Sequence, residues 1–222
     1  MGQRIKLRLK GAPLRHAGFG TAFRLSSRYA DVLVVPWLLE GTAVVAYLLA
    51  RCASLCIPAA LCVLARRVTP QLVMLAAADV QTPFRAAAAR INLGYLMVCG
   101  AVALFVLGIS GVAVAAFGSV DPVFSQTLIW LVLGQSAPVL FGATGLLMQV
   151  VDRGAFHEML QGLTTCLFLA GLVALGARDG VLVAQTFAAA QLAQAALCAV
   201  LLTQCGVWPG LTALFHKEIK LF

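Results

Sequence analysis

Five long apolar stretches, Gly41–Ala65, Ile91–Phe117, Ser125–Val151, Phe156–Ala177 and Val181–Gly206, dominate this chain and leave it little choice of fold. Each matches or exceeds the ~20 residues a helix needs to cross a ~30 Å hydrocarbon core. Only helices or closed barrels satisfy every backbone polar group inside lipid, and runs of this length select helices. With 62% hydrophobic and 11% charged residues and a mean hydropathy of +0.97, a water-soluble domain of this size would expose too much apolar surface to stay in solution. The fold class is therefore all-α, a polytopic membrane protein of about six transmembrane helices in one bundle. A weaker first span, Phe19–Leu39, makes the sixth; Arg24, Ser26, Ser27, Arg28 and Asp31 crowd its front half.

This pattern divides the chain into a basic segment 1–18, a bundle 19–206 and a tail 207–222. The tail mixes Leu214, Phe215, Ile219 and Leu221 with Lys217 and Lys220, as an interfacial amphipathic helix does. Between the second and third spans lies a connector rich in Arg and Pro. Its apolar piece, Leu72–Ala78, is too short to cross and is expected to form an interfacial or re-entrant turn. Segment 1–18 lacks the compact apolar core of a cleavable signal.

Net charge is +8, and its placement carries the meaning. With the N-terminus inside, 14 of the 16 Lys and Arg fall on the inner side, Arg51 lies within a span, and Arg178 alone lies outside. The positive-inside rule then sets both termini in the cytoplasm. A basic excess confined to connectors is topological, so no nucleic-acid partner is implied. Seven cysteines sit in apolar stretches with no CxxC pair, which fits small buried packing residues rather than a disulfide framework or zinc site. No P-loop, HExxH, GxSxG or dinucleotide fingerprint occurs, and nothing marks the chain as an enzyme.

Ionisable groups inside a span are costly unless paired or wetted. Arg28, Asp31 and Arg51 stand out. Arg28 and Asp31 are one helical turn apart, and Arg51 sits mid-span, too deep to snorkel. Either Arg51 lines a basic, water-filled cavity for an anionic substrate, or it pairs with Asp31 or Glu40 to lock two helices; the two readings are compatible. In the fourth span Gly134, Pro138 and Gly142 recur every four residues on one face, as in a closely packed, bending helix, and Gln135 adds a polar contact beside them. Gln185, Gln191 and Gln194 in the last span read as interhelical hydrogen-bonding groups, and His157-Glu158 as an interfacial pair.

Taken in order, Arg28-Tyr-Ala-Asp31, Gly41, Ala46-Tyr47-Leu-Leu-Ala-Arg51, Gly134-Gln135, Gly142-Ala-Thr-Gly145, Asp152-Arg153-Gly154 and Gly176-Ala-Arg-Asp-Gly180 resemble the second half of bacterial polysaccharide flippases. These belong to the multidrug/oligosaccharidyl-lipid/polysaccharide exporter superfamily. Ala46 stands where that pattern usually has Gly. The resemblance runs from about Arg24 to Gly206. It implies transport of a lipid-linked oligosaccharide across the bacterial inner membrane by alternating access, without a bound cofactor. Arg28, Arg51 and Gln135 would meet the phosphate-bearing substrate, and Asp31 or Glu40 would pair charge or couple an ion. Members of that family are about twice this length, so the resemblance implies a second six-helix bundle, on a missing N-terminal half or a partner chain. Membrane lipids are the remaining partner. A multidrug antiporter, a non-transporting scaffold and an inactive truncated remnant are the competing readings; the first calls for acids rather than arginines in its cavity.

Overall fold

The computed structural model describes residues 29–78, 81–117, 122–151, 153–176, 178–204 and 207. Segment 1–18, Arg28, the front of the first span and all but Val207 of the tail lie outside the described residues. Within them the chain is helical, with no strand. The elements run α1 (Ala30–Leu38), α2 (Thr42–Ser54), α3 (Cys56–Ala77), α4 (Gln81–Phe117), α5 (Pro122–Leu140), α6 (Thr144–Val150), α7 (Gly154–Ala174) and α8 (Gly180–Gln204).

Five stretches are long and apolar enough to cross a bilayer: Thr42–Ala76, Pro83–Val112, Val123–Val150, Gly154–Ala174 and Gly180–Gln204. Large apolar side chains on their outer faces, among them Leu104, Phe105, Met97 and Val173, are exposed, as a lipid-facing belt must be. The chain is a multi-pass helical membrane protein.

The connector after the second expected span differs from its sequence reading. No re-entrant turn forms at Leu72–Ala78: α3 continues to Ala77, and α4 begins at Gln81 rather than Ile91. The 35 residues of Thr42–Ala76 would reach ~52 Å as unbroken helix, well past a ~30 Å core. What holds the overhang helical is a second core. Leu72 with Ala76, and Phe84 with Ala88, are each four residues apart on one helix face and bury against Leu147, Val150, Val151 and Leu202. Arg66, Arg67 and Arg90 stay exposed on the outer faces. The helical spacing of apolar residues was present in the connector; its arginines and prolines hid it.

The larger core joins α1, α2, α4, α5, α7 and α8 through Val35, Tyr47, Tyr95, Leu131, Phe168 and Val183, among others. The span built from α5 and α6 is the most buried of the five and packs most extensively on α8, then on α2. Gly134 explains the closeness of α5 and α8, since a Cβ there would come within 3.0 Å of the Ala188 Cα and the Phe187 ring.

Two spans are interrupted. Between α2 and α3 the break falls at Leu55, where Pro58 supplies no N–H and its ring crowds the Ser54 carbonyl. Between α5 and α6, Pro138 precedes an unwound stretch in which Gly142 takes φ +91°, a left-handed value suited to glycine. Asn92, buried on α4, closes that gap by accepting the Ala143 N–H through Oδ1 at 2.9 Å.

Candidate functional site

The α1–α2 link turns the chain back so that Asp31 meets the side chains of Tyr47 and Arg51, one turn apart on α2. Arg51 and Asp31 are each 1% exposed. The guanidinium lies sideways on the carboxylate, Nε 2.6 Å from Oδ2, and Nη2 donates to Oδ1 at 3.4 Å. This two-point geometry is the one a rigid planar fork forms with a carboxylate. Tyr47 donates its hydroxyl to Oδ2 at 3.1 Å. From α8, Phe187 places its ring under the Arg51 guanidinium, 4.6 Å from centroid to carbon, and Phe168 of α7 meets Phe187 edge-on at 6.1 Å. The sequence left Asp31 and Glu40 open as partners of Arg51. Asp31 is the partner, and Glu40 lies exposed in the α1–α2 link.

Arg51 also lines a cavity of about 280 Å³ between α2–α3, α5–α6, α7 and α8. At ~30 Å³ per molecule in the liquid, that space accommodates about nine waters. Four glutamines surround it: Gln135 of α5, Gln161 of α7, and Gln191 and Gln194 of α8. Thr144 and His157 add further polar groups, and Pro58, Pro138 and Gly145 bring both helix interruptions to the same wall. Asp31 is not part of this lining; it faces a separate small recess beside Thr164, Thr165 and Gln191. The ion pair is thus oriented, with its cation toward the cavity and its anion behind.

Of the residues singled out in the sequence, Arg51, Gln135, Pro138, Gln191 and Gln194 converge on this cavity, with Asp31 behind Arg51. Gly134 lies on the α8-facing side of α5, and Gly142 in the unwound stretch. His157, expected as half of an interfacial pair with Glu158, also lines this cavity. It faces inward, its Nδ1 3.4 Å from the Cys198 Sγ and its ring beside Gly145. Gln194 is both glue and lining, accepting a hydrogen bond from Thr164 at 3.2 Å. The rule that flags ionisable residues within a span applies equally to His157 and would have found it. Asn92 had no comparable signal.

The cysteines also depart from expectation. Cys99 and Cys198 are buried, but Cys52, Cys56, Cys62 and Cys166 are exposed, so these four do not fill the core. Among the described residues no three His, Cys, Asp or Glu side chains gather as metal ligands. What the arrangement can do is hold a small polar or anionic group in a wetted space within the membrane, against one cation and several neutral amides. No protein-family model, curated protein or solved structure matches this chain.

Proposed function

We propose that the chain carries the phosphate-bearing head of a lipid-linked oligosaccharide across the bacterial inner membrane, as one six-helix bundle of an alternating-access flippase. The observation that carries this reading is Arg51, buried within a span yet lining a cavity walled by four glutamines. A buried arginine is expensive to keep in a membrane. Its position, with Asp31 behind it, lends the cavity a positive wall, and an anion entering meets the guanidinium first. Amides that both donate and accept suit hydroxyl-rich groups. A carrier of organic cations would need the opposite polarity at the same wall.

The interrupted α5–α6 span supports the transport part. Unwound backbone at membrane depth is tolerated where it is enclosed by protein or lines a cavity, and broken spans recur where carriers bind substrate and bend. At about 280 Å³ the space admits a phosphate-bearing head and no more, so the remainder of the glycan would lie against a second bundle. Arg66, Arg67, Arg85, Arg90 and Arg153 flank the α3–α4 and α6–α7 links at one end of the bundle, and Arg178 lies at the α7–α8 link at the other. We assign the arginine-rich end to the cytoplasm, with both termini there.

The test is translocation of a radiolabelled lipid-linked oligosaccharide in inverted membrane vesicles containing the chain with its second bundle. The paired variant Arg51→Gln/Asp31→Asn removes the cation without stranding a buried carboxylate. Transport should fall at least about tenfold, the equivalent of ~1.4 kcal/mol, at unchanged protein level in the membrane. Undiminished transport in the variant would remove Arg51 from the site; no transport by the unsubstituted protein would replace this reading with the scaffold one.

A further inference from the structure

A second cavity, of about 250 Å³, lies on the other side of the α5–α6 interruption, among α3, α4 and α5–α6. Its lining is mostly hydrocarbon, from residues such as Ala65, Val139 and Leu146. Five residues line both cavities: Pro58, Leu61, Pro138, Thr144 and Gly145. The two spaces therefore share a wall, at the place where the α2–α3 kink faces the α5–α6 break. One is polar with a cation at its wall, and the other is apolar.

The apolar side contains an anomaly. Tyr95 is 6% exposed and lines this cavity, yet its hydroxyl has no hydrogen-bond partner among the described residues. Asn92, three residues earlier on the same face of α4, uses its Oδ1 on Ala143, while its Nδ2 is likewise without a partner. The Tyr95 hydroxyl is itself closed off, so this side chain borders the cavity through its ring.

We propose that the two cavities form one bipartite site for a single-chain anionic amphiphile. Its head lies against Arg51 and the glutamines. Its chain passes between Pro58 and Pro138 into the second cavity, along the Tyr95 ring, Val139 and Leu146. At ~30 Å³ per water-sized group, the second cavity takes about eight such groups, a short stretch of chain, and the rest continues into the bilayer past Cys62, which is exposed on α3. The proposal deepens the transport reading by giving the lipid portion of the substrate its own path through the bundle.

Cys62 lines the second cavity and serves as a native reporter, with Cys166, which lines neither cavity, as the internal reference. In lipid nanodiscs, the rate of alkylation by N-ethylmaleimide is followed at each cysteine by mass spectrometry. The probes are dodecyl phosphate, dodecanol and inorganic phosphate. Dodecyl phosphate should slow Cys62 at least about tenfold relative to Cys166, at a concentration where dodecanol and phosphate each leave it nearly unchanged. The Arg51→Gln/Asp31→Asn variant should need about tenfold more dodecyl phosphate for the same effect. Equal protection by dodecanol, or protection indifferent to the paired variant, would overturn the bipartite site, because head and chain would not belong to one ligand. The unmodified protein decides the first comparison, so misfolding of a variant cannot obscure it. Protection of Cys62 without glycan-lipid transport would refute the transport reading and leave this site standing; transport without protection would refute the site alone.

Discussion

Breaking the Arg51–Asp31 pair from one side should cost far more than removing it whole. Each residue is 1% exposed, so Arg51→Gln leaves a buried carboxylate without its cation, with Tyr47 as a donor among the described residues, and Asp31→Asn leaves a buried guanidinium over the Phe187 ring without its carboxylate. Removing one partner of a buried pair costs ~3–5 kcal/mol, whereas replacing both by neutral groups is often close to neutral. Each single variant should therefore lose ~3–5 kcal/mol and the double variant no more than ~2 kcal/mol. The coupling energy, the shortfall of the double from the sum, should be at least ~4 kcal/mol. Neutral hydrogen bonds between membrane helices average only ~0.6 kcal/mol, so a coupling of this size identifies a charge pair and not a polar contact. Tyr47→Phe should cost ~1.5–3 kcal/mol when Asp31 is present and much less in Asp31→Asn, because only the charged acceptor makes its hydrogen bond strong. The assay is SDS-titrated unfolding in mixed micelles, read by circular dichroism for the wild type, the single variants and the double variant. Additivity within ~0.5 kcal/mol would refute the reasoning, since the two side chains would then not sense each other's charge.

Glycines of α4 and α5 should respond oppositely to alanine. Gly134→Ala drives a Cβ to 3.0 Å from the Ala188 backbone and should destabilise by ~1–3 kcal/mol, while Gly100→Ala meets nothing within 4 Å and should be neutral or stabilising by up to ~1 kcal/mol in the same titration. Asn92→Ala removes the acceptor for the Ala143 N–H and should lose ~1–3 kcal/mol, with faster hydrogen exchange at residues 141–144 as the local signature; unchanged exchange there would show that the break is held by other contacts.

The spans were legible because hydropathy over twenty residues is a strong, local signal. Ser125–Val151, Phe156–Ala177 and Val181–Gly206 each match a span to within a few residues at both ends. Where the reading failed, the cause was a signal from outside the segment. Arg66, Arg67, Pro70 and Pro83 look like a connector, yet Leu72, Ala76, Phe84 and Ala88 bury against residues some sixty or more positions downstream, and that second core keeps the helices going. Arg51 was conspicuous by its depth. Its partner was not, because neither Asp31 nor Glu40 is close in sequence, and only the fold of the α1–α2 link selects Asp31. Asn92 was invisible for a related reason. A single Asn in an apolar helix is chemically ordinary until the Ala143 N–H, beside the break at Gly142, is brought to it.

The two interruptions explain why the polar groups could gather where they do. A regular helix uses up its own backbone hydrogen bonds and offers a neighbour only side chains. Pro58 and Pro138 each interrupt that ladder, and both abut the wall shared by the two cavities, so released backbone groups and bulky rings hold the helices apart there. Elsewhere α5 approaches α8 as closely as Gly134 allows, which leaves no room for water. Tight packing on one side and separation on the other confine the cavity to the stretch between Arg51 and the break. A protein that needed only to hold helices together would gain by closing that gap with apolar residues. Retaining a cation and four amides around it makes sense if a ligand, not the fold, completes the site.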